Sequence, residues 1–208
     1  MIEILYAILM TLAAVESPGI IAKDDAKAAQ YRDGVRAMSS AYVEVGKAGA
    51  LVSPRADAAL LAAIGYEESR HRPRIKDGDC DFAAVQTCHS VGPMQISKGI
   101  RRWPEFERWS TVTDAQLREP MTAVTVAYDM LGHYKARCGR GPDVWLSAYA
   151  MGRCPKQPIR LGRRRAALAW AIATAANSDD LPRVVAPDAK TRRKVAALTT
   201  DEVEGDAP

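Results

Sequence analysis

The chain has 208 residues, a size that fits one globular domain with additional tails. Its 48% hydrophobic and 26% charged residues exclude collagen, a coiled coil and wholesale disorder, and its low aromatic content of 6% favours helices over a β-sandwich or barrel. A net charge of +4 makes the chain mildly basic, which is compatible with a polyanionic partner but does not require one.

The first predicted element is the segment 4–15, which is apolar except for Thr11. It is too short for a membrane span but has the length of a signal-peptide core. No Lys or Arg precedes it and its cleavage region is poor. Two interpretations therefore stay open, a cleaved signal and a short core helix that ends at residues 17–19. We predict no stable membrane span in either case.

A series of helices is predicted further along the chain, with no convincing series of strands. Ser53 and Pro54 are a favoured N-cap and a favoured first helical residue. The helical patterns cover residues 22–45, 54–70, 95–109, 113–118, 120–137, 143–151 and 161–177. Polar residues 74–91 predict a long loop. We expect an all-α fold with an N-terminal part at 1–50, a domain at 51–178 and a disordered tail at 179–208.

The cysteines are Cys80, Cys88, Cys138 and Cys154, and none forms a C-x-x-C motif, which argues against a zinc ribbon or a thioredoxin-type centre. An even count in an exported protein indicates two disulfides, for which three connectivities exist. The alternative is four free thiols in a cytosolic protein. We predict that Cys80 pairs with Cys88 and Cys138 with Cys154, because each pair is local in sequence.

The first candidate for chemistry is Glu68. It follows Leu61 and Ile64 at i, i+3 and i+7, so it continues the apolar stripe of its helix. Desolvation on such a stripe raises the pKa of a carboxyl group, as a general acid requires. Glu67 lies off the stripe and is interpreted as a surface acid, which is also the commoner role of any single Glu.

Two further motifs follow, Gly92-Pro93-Met94-Gln95-Ile96-Ser97 and Ala148-Tyr149-Ala150-Met151-Gly152. We predict that Gln95 begins a helix, where it is able to bond a sugar amide or hydroxyl group or simply to serve as a first-turn residue. Tyr149 lies one turn before a helix-ending glycine, so it is interpreted as a cleft-rim residue or as a core tyrosine.

Other polar clusters carry weaker signals. The alternating acids of residues 77–81 are similar to a calcium loop, but Cys80 interrupts them and the required Glu is missing. We therefore predict no metal and no cofactor. Residues 163–165, with Lys156 and Arg160, form a basic cluster. It is interpreted as a solvated helix face or, alternatively, as a surface that attracts anionic wall polymers or lipid.

Taken in order, Glu68-Ser69, the Gly-x-Met-Gln motif and the Ala-Tyr-x-x-Gly motif resemble the soluble lytic transglycosylases, a family related to goose-type lysozyme. The segment from Glu119-Pro120 to Leu131 is similar to the family's helix between the last two motifs. The resemblance covers about residues 55–155. Three positions depart from the family pattern: Pro93 stands for Leu, and Ala123 and Ala150 stand for Asn.

This resemblance implies an all-α, lysozyme-like fold. The loop between Glu68 and Gln95 is longer than the family's usual spacing, contains Cys80 and Cys88, and is predicted to hold a disulfide. The resemblance also implies cleavage of the β-1,4 bond between N-acetylmuramic acid and N-acetylglucosamine, with a 1,6-anhydromuramic product. Glu68 would be the single catalytic acid and base, Gln95 and Met94 would line the glycan cleft, Tyr149 would lie near the catalytic carboxyl group, and Ser69 would hold the hydrogen-bond network. A second Glu-Ser pair, Glu16-Ser17, is rejected because it lies much farther from Gln95.

Two alternatives remain open at the sequence level. A hydrolytic muramidase would use Asp79 or Asp81 as a second carboxylate. A non-catalytic wall-binding component of a phage tail or of a secretion or conjugation machine is favoured by the missing Asn at Ala150. The expected partner is a peptidoglycan glycan strand and not a nucleic acid, and the expected location is the periplasm, the exterior of the cell or a phage virion.

Overall fold

The fold is described by a computed structural model for residues 1–16, 25–71, 89–139 and 141–176. In these parts seven α-helices and one short hairpin are present. They are α1 (Ile2–Glu16), α2 (Asp25–Gly46), α3 (Pro54–Ser69), β1 (Ser90–Val91), β2 (Ile96–Ser97), α4 (Asp114–Arg118), α5 (Pro120–Cys138), α6 (Pro142–Met151) and α7 (Arg160–Ala175). The predicted all-α, lysozyme-like class is confirmed, whereas most of the predicted loop at 74–91 and the tail after Asp180 lie outside the described residues.

Helix α3 lies at the centre of the core because its sequence is mostly small and apolar. Every residue from Ala56 to Tyr66 is buried, and α2 and α7 pack along it. Small side chains let neighbouring helix backbones approach closely. The helix begins as predicted, since the Ser53 hydroxyl accepts a hydrogen bond from the Ala56 amide at 3.4 Å and Pro54 occupies the first turn. The acidic pair 67–68 consequently lies in the last turn, directly after the buried middle of this helix.

Helix α1 packs onto this core through one apolar face and contacts mainly α2. The buried residues of that face are Leu5, Ile8, Leu9, Leu12 and Ala13. At its end, Glu16 accepts a hydrogen bond from the Tyr66 hydroxyl at 3.1 Å and pairs with Arg70 at 3.2 Å. The core-helix interpretation of residues 4–15 thus describes their packing. No helix in the described residues is both long and apolar enough to cross a membrane.

The segment after residue 88 differs from its prediction. Strands β1 and β2 pair antiparallel, with Ser90 opposite Ser97 and Val91 opposite Ile96, and residues 92–95 form the turn. Two 3₁₀ helices follow, at Lys98–Arg102 and Pro104–Trp109. The prediction of a helix that starts at Gln95 is therefore wrong. Strands of two residues are too short to give a period-2 pattern, so the sequence did not reveal them.

The C-terminal helices pack closely and are tied by a disulfide. Cys138 at the end of α5 is bonded to Cys154 after α6, with a Cα–Cα distance of 5.3 Å. This confirms the predicted Cys138–Cys154 pair. The other predicted pair, Cys80–Cys88, lies outside the described residues.

Replacing Cys138 and Cys154 together by alanine should lower the free energy of unfolding by about 2–4 kcal/mol, because the unfolded chain regains the entropy that the cross-link removes. Urea denaturation of the double variant and of the oxidised wild type measures the difference. Equal denaturation midpoints would show that this disulfide does not stabilise the domain.

Candidate active site

A cavity of about 370 Å³ lies where the end of α3, the hairpin, the end of α6 and the start of α7 meet. Its polar lining includes Glu68, Gln95, Tyr149 and Arg165. Larger cavities, of about 510, 530 and 470 Å³, are formed by other parts of the described chain, and their described lining does not include Glu68. The fold therefore brings three of the predicted site residues, from three separate motifs, to one cavity.

Glu68 is held by a buried cation from α7. The Arg165 side chain is 2% exposed, and its Nη2 donates a hydrogen bond to Oε1 of Glu68, whose side chain is 20% exposed. Burial raises the pKa of Glu68 above its ordinary value, while the charge and hydrogen bond of Arg165 oppose that rise. Because burial is the larger effect, Glu68 keeps its proton to a higher pH than a solvated glutamate does.

Glu67 does not lie on the surface. Its side chain is 2% exposed, is ion-paired with Arg164, and lies 3.5 Å from Nη1 of Arg70. The surface-acid interpretation is therefore wrong, and the reason is that α7 covers the end of α3. Two consecutive arginines of α7 meet the two consecutive glutamates of α3, so both acids are neutralised by the same neighbouring helix.

The basic cluster divides in a similar way. Arg163 is exposed and donates a hydrogen bond to the Pro158 carbonyl group at 2.7 Å. Arg164 and Arg165 instead point to the acids of α3. A solvated helix face thus describes Arg163 and is wrong for Arg165, because the packing of α7 on α3 was not visible in the sequence.

Tyr149 connects α6 to the hairpin turn. Its hydroxyl donates a hydrogen bond to the Met94 carbonyl oxygen at 2.8 Å, and its ring lies 5.8 Å from the Arg165 guanidinium carbon. Burial and the nearby charge of Glu68 raise the pKa of Tyr149 well above its ordinary value, so the hydroxyl stays neutral. Tyr149 is therefore both a buried residue and a lining residue of the cavity.

The turn residues Met94 and Gln95 occupy different environments. Gln95 lines the cavity, has a φ of 49°, and donates from Nε2 to the Gly92 carbonyl group at 2.9 Å. The Met94 side chain is buried in the core, where its sulfur accepts a hydrogen bond from the Tyr42 hydroxyl at 3.8 Å. Met94 thus meets the site through its carbonyl group rather than through its side chain.

Ser69 also lies away from the cavity. It is buried, donates to the Gly65 carbonyl group at 3.0 Å, and accepts from the His71 amide at 3.1 Å. These bonds fix the end of α3 just behind Glu68. Glu16, the acid of the rejected Glu-Ser pair, is not among the described residues that line the cavity and is paired with Arg70 instead.

The lining residues that sequence reasoning did not assign to the site include Arg165 and Trp103. Arg165 lies between Leu161 and Leu168 at helical spacing, on the buried stripe of α7, which is the same kind of signal that singled out Glu68. Trp103 joins the two 3₁₀ helices and belongs to no motif, so only the fold reveals its position. Ala150, which stands where the resembled family has Asn, lines the cavity as a small exposed side chain.

A match to a family model covers this whole site. The Transglycosylase SLT domain matches residues 48–167, which is more than half of the chain. The chain belongs to the SLT transglycosylase domain family. Peptidoglycan is the substrate of this family. The SLT domain therefore identifies this chain as a lysozyme-like protein that acts on peptidoglycan. The comparisons with curated proteins and with solved structures give no significant match.

In this SLT domain, Tyr149→Phe should lower kcat moderately and stability by about 1–3 kcal/mol, because the buried Met94 carbonyl group loses its donor. Turnover of purified peptidoglycan and thermal denaturation measure the two effects. Tyr6→Phe, on α1 and outside the described cavity lining, is the matched control. A Tyr149→Phe protein with wild-type kcat and wild-type stability would show that the hydrogen bond from Tyr149 to the Met94 carbonyl group contributes to neither.

Proposed function

We propose that this SLT domain is a lytic transglycosylase that cleaves the β-1,4 bond between N-acetylmuramic acid and N-acetylglucosamine. The muramic acid end of the cut strand becomes a 1,6-anhydro ring. The observation that carries the proposal is a single carboxyl group in the cavity: of the described lining residues, Glu68 alone carries one. Most glycosidases require two carboxylates, whereas a transglycosylase is able to use the same group twice.

In the proposed reaction, Glu68 first donates its proton to the glycosidic oxygen. The bond between that oxygen and C1 of the muramic acid breaks, and its electron pair leaves with the N-acetylglucosamine. Glu68, now a carboxylate, removes the proton from the muramyl 6-hydroxyl group as its oxygen attacks C1. One bond to C1 is replaced by another, Glu68 regains its proton, and no water is consumed.

Two features support the role of Glu68 as the acid. Burial raises its pKa, which favours the protonated form that the first step requires. Gln95 and Tyr149 line the same cavity, so hydrogen-bonding groups for a glycan lie beside the acid. A periplasmic or extracellular location, or a phage particle, is part of the proposal. It is supported by the Cys138–Cys154 disulfide, since disulfides persist in oxidising compartments.

Mass spectrometry of the muropeptides released from purified peptidoglycan tests the proposal. A transglycosylase releases products that are lighter by one water than hydrolysis products and that borohydride does not reduce. Reducible products would instead identify a muramidase, with its second carboxylate outside the described residues. Binding without release would identify a wall-binding component, the alternative that Ala150 favours.

A further inference from the structure

Arg165 is a buried charge whose described counter-ion is the proposed acid. Its side chain is 2% exposed, and its guanidinium group is paired with Glu68. In the described part of the chain, its Nε and Nη1 are buried and have no hydrogen-bond partner. A buried cation is strongly destabilising unless a carboxylate compensates it. The fold thus retains a buried arginine that is destabilising by itself, and this arginine contacts Glu68.

The packing of α7 fixes the direction of the Arg165 side chain. Gly162, one turn earlier, lies so close to α6 that a Cβ atom there would overlap the Ser147 hydroxyl group and lie 2.5 Å from the Asp143 carbonyl oxygen. The Ser147 hydroxyl also accepts a hydrogen bond from the Ile159 amide at 3.0 Å. The start of α7 is therefore held against α6, and Arg165 is directed across the ring of Tyr149 toward Glu68.

The pairing distinguishes the two oxygens of the Glu68 carboxyl group. A guanidinium group only donates hydrogen bonds, so the oxygen that it holds must act as an acceptor. That oxygen is Oε1. When Glu68 is protonated, its proton consequently lies on Oε2. When the proton has left, the negative charge on the carboxylate remains paired with Arg165.

We propose that Arg165 is the positioning residue of the acid: it holds Oε1 of Glu68, leaves the transferable proton on Oε2, and stabilises the carboxylate between the two proton transfers. This inference rests on the proposed function of Glu68. It explains how one carboxyl group serves both steps, because a buried carboxylate with no partner would take its proton back from the nearest donor rather than wait for the 6-hydroxyl group.

The groups around Glu68 determine the direction of the expected effect. Tyr149 of α6 stays neutral, and the hairpin contributes the uncharged Ser90 and Gln95. On α3 itself, the negative charge of Glu67 raises the pKa of Glu68 and the positive charge of Arg70 lowers it, each less than Arg165 does. Removing Arg165 therefore removes the largest influence that favours the carboxylate, and the pKa of Glu68 should rise further.

The test compares full-length Arg165→Met, which keeps the length of the stem, with Arg165→Lys, which keeps the charge but loses the planar fork. Arg163→Met, an exposed arginine of the same helix, is the matched control. The pH dependence of kcat and KM is measured on soluble, uncrosslinked glycan strands. Carbon-13 NMR measures the pKa of the Glu68 carboxyl group independently of turnover, and circular dichroism checks folding.

For Arg165→Met we expect the alkaline limb of the pH–rate profile and the pKa of Glu68 to move up by about 1–3 units. We also expect kcat to fall about tenfold or more with little change in KM, since orientation of the acid matters in the transition state and not in binding. Arg165→Lys should keep the limb near its wild-type position and recover part of kcat. Arg163→Met should behave as wild type.

A folded Arg165→Met protein with an unchanged limb and an unchanged pKa of Glu68 would overturn the inference. If Arg165→Met does not fold, the test relies on Arg165→Lys. A lower kcat with an unchanged alkaline limb of the pH–rate profile supports the inference. A wild-type kcat overturns it. If the wild type releases no product, the proposed function fails by itself. The NMR comparison then still decides whether Arg165 controls the protonation of Glu68.

Discussion

Glu68→Gln should abolish release of muropeptides from peptidoglycan while glycan binding persists. The amide keeps the shape of the side chain but has no acidic proton to transfer to the glycosidic oxygen. Loss of a general acid costs on the order of 10²–10⁴ in rate, and more when the same group also acts as the base of the second step. Mass spectrometry of released products measures the rate, and co-sedimentation with peptidoglycan measures binding.

The same variant should be less stable than the wild type, because Arg165 is buried against the carboxylate. The amide oxygen still accepts a hydrogen bond but carries no charge, so we expect a loss of about 1.5–3 kcal/mol in the free energy of unfolding. The matched shape of the two side chains, taken alone, predicts an almost unperturbed fold. The ion pair changes that expectation, and activity must therefore be measured below the unfolding transition of the variant.

Glu67→Gln and Glu16→Gln are the matched acid-to-amide controls. Both carboxylates lie in ion pairs, with Arg164 and Arg70 respectively, so both variants should lose some stability. Neither acid is among the described residues that line the cavity, so both variants should still cleave peptidoglycan. Full activity of Glu68→Gln, or loss of activity in Glu16→Gln alone, would overturn the assignment of the acid.

The pH profile of the wild type follows from the same residue. A general acid works in its protonated form, so kcat/KM should fall as the pH rises through the pKa of Glu68. Because burial raises that pKa, the fall should occur at a higher pH than the ordinary pKa of a glutamate. A limb at or below that ordinary value would mean that Arg165 outweighs burial in the free protein.

Most helices were predictable because their signals are local. The cap at Ser53, the prolines that open α3 and α5, and the glycine that ends α6 act within one turn of the chain. The position of Glu68 was predictable for a related reason. Helical spacing from Ile64 places it on the buried face of α3, whatever lies opposite that face.

The partners of the acid were not predictable, because they depend on which helix packs against α3. Glu67 and Arg165 are charged, and charged residues are usually exposed, so composition favoured the surface for both. The two pairs at the α3–α7 contact bring together residues far apart in sequence. Only the helical spacing of Arg165 with Leu161 and Leu168 indicated that this arginine faces the core.

The secondary structure of the hairpin segment was predicted wrongly for a different reason. Its strands have two residues each, so neither alternation nor β-branched enrichment had room to appear. Gly92 and Pro93 did signal a turn, but the turn leads into β2 and not into a helix. The motif that carried the family resemblance was therefore recognised while its backbone conformation was mistaken.

Gly92→Ala should be the most damaging substitution in that motif, lowering both stability and activity. Gly92 has a φ of 75°, which costs a residue with a Cβ atom about 1–3 kcal/mol. The added Cβ atom would also overlap the Leu117 carbonyl oxygen and lie 2.8 Å from the Leu117 carbonyl carbon. Those atoms belong to the backbone of α4 and cannot rotate away, so overpacking adds about 1–3 kcal/mol.

The consequence for activity follows from what the turn holds. If residues 92–95 shift away from α4, then Gln95 leaves the cavity lining and the Met94 carbonyl group loses its bond with the Tyr149 hydroxyl. We expect a lower denaturation midpoint together with a lower kcat/KM on peptidoglycan. Gly132→Ala is the control, because in the described part of the chain no atom beyond its own stretch of α5 lies within 4 Å of the added Cβ, and alanine favours a helix by about 0.5–1 kcal/mol. A Gly92→Ala protein as stable and active as Gly132→Ala would show that the turn is free to move and does not position the site.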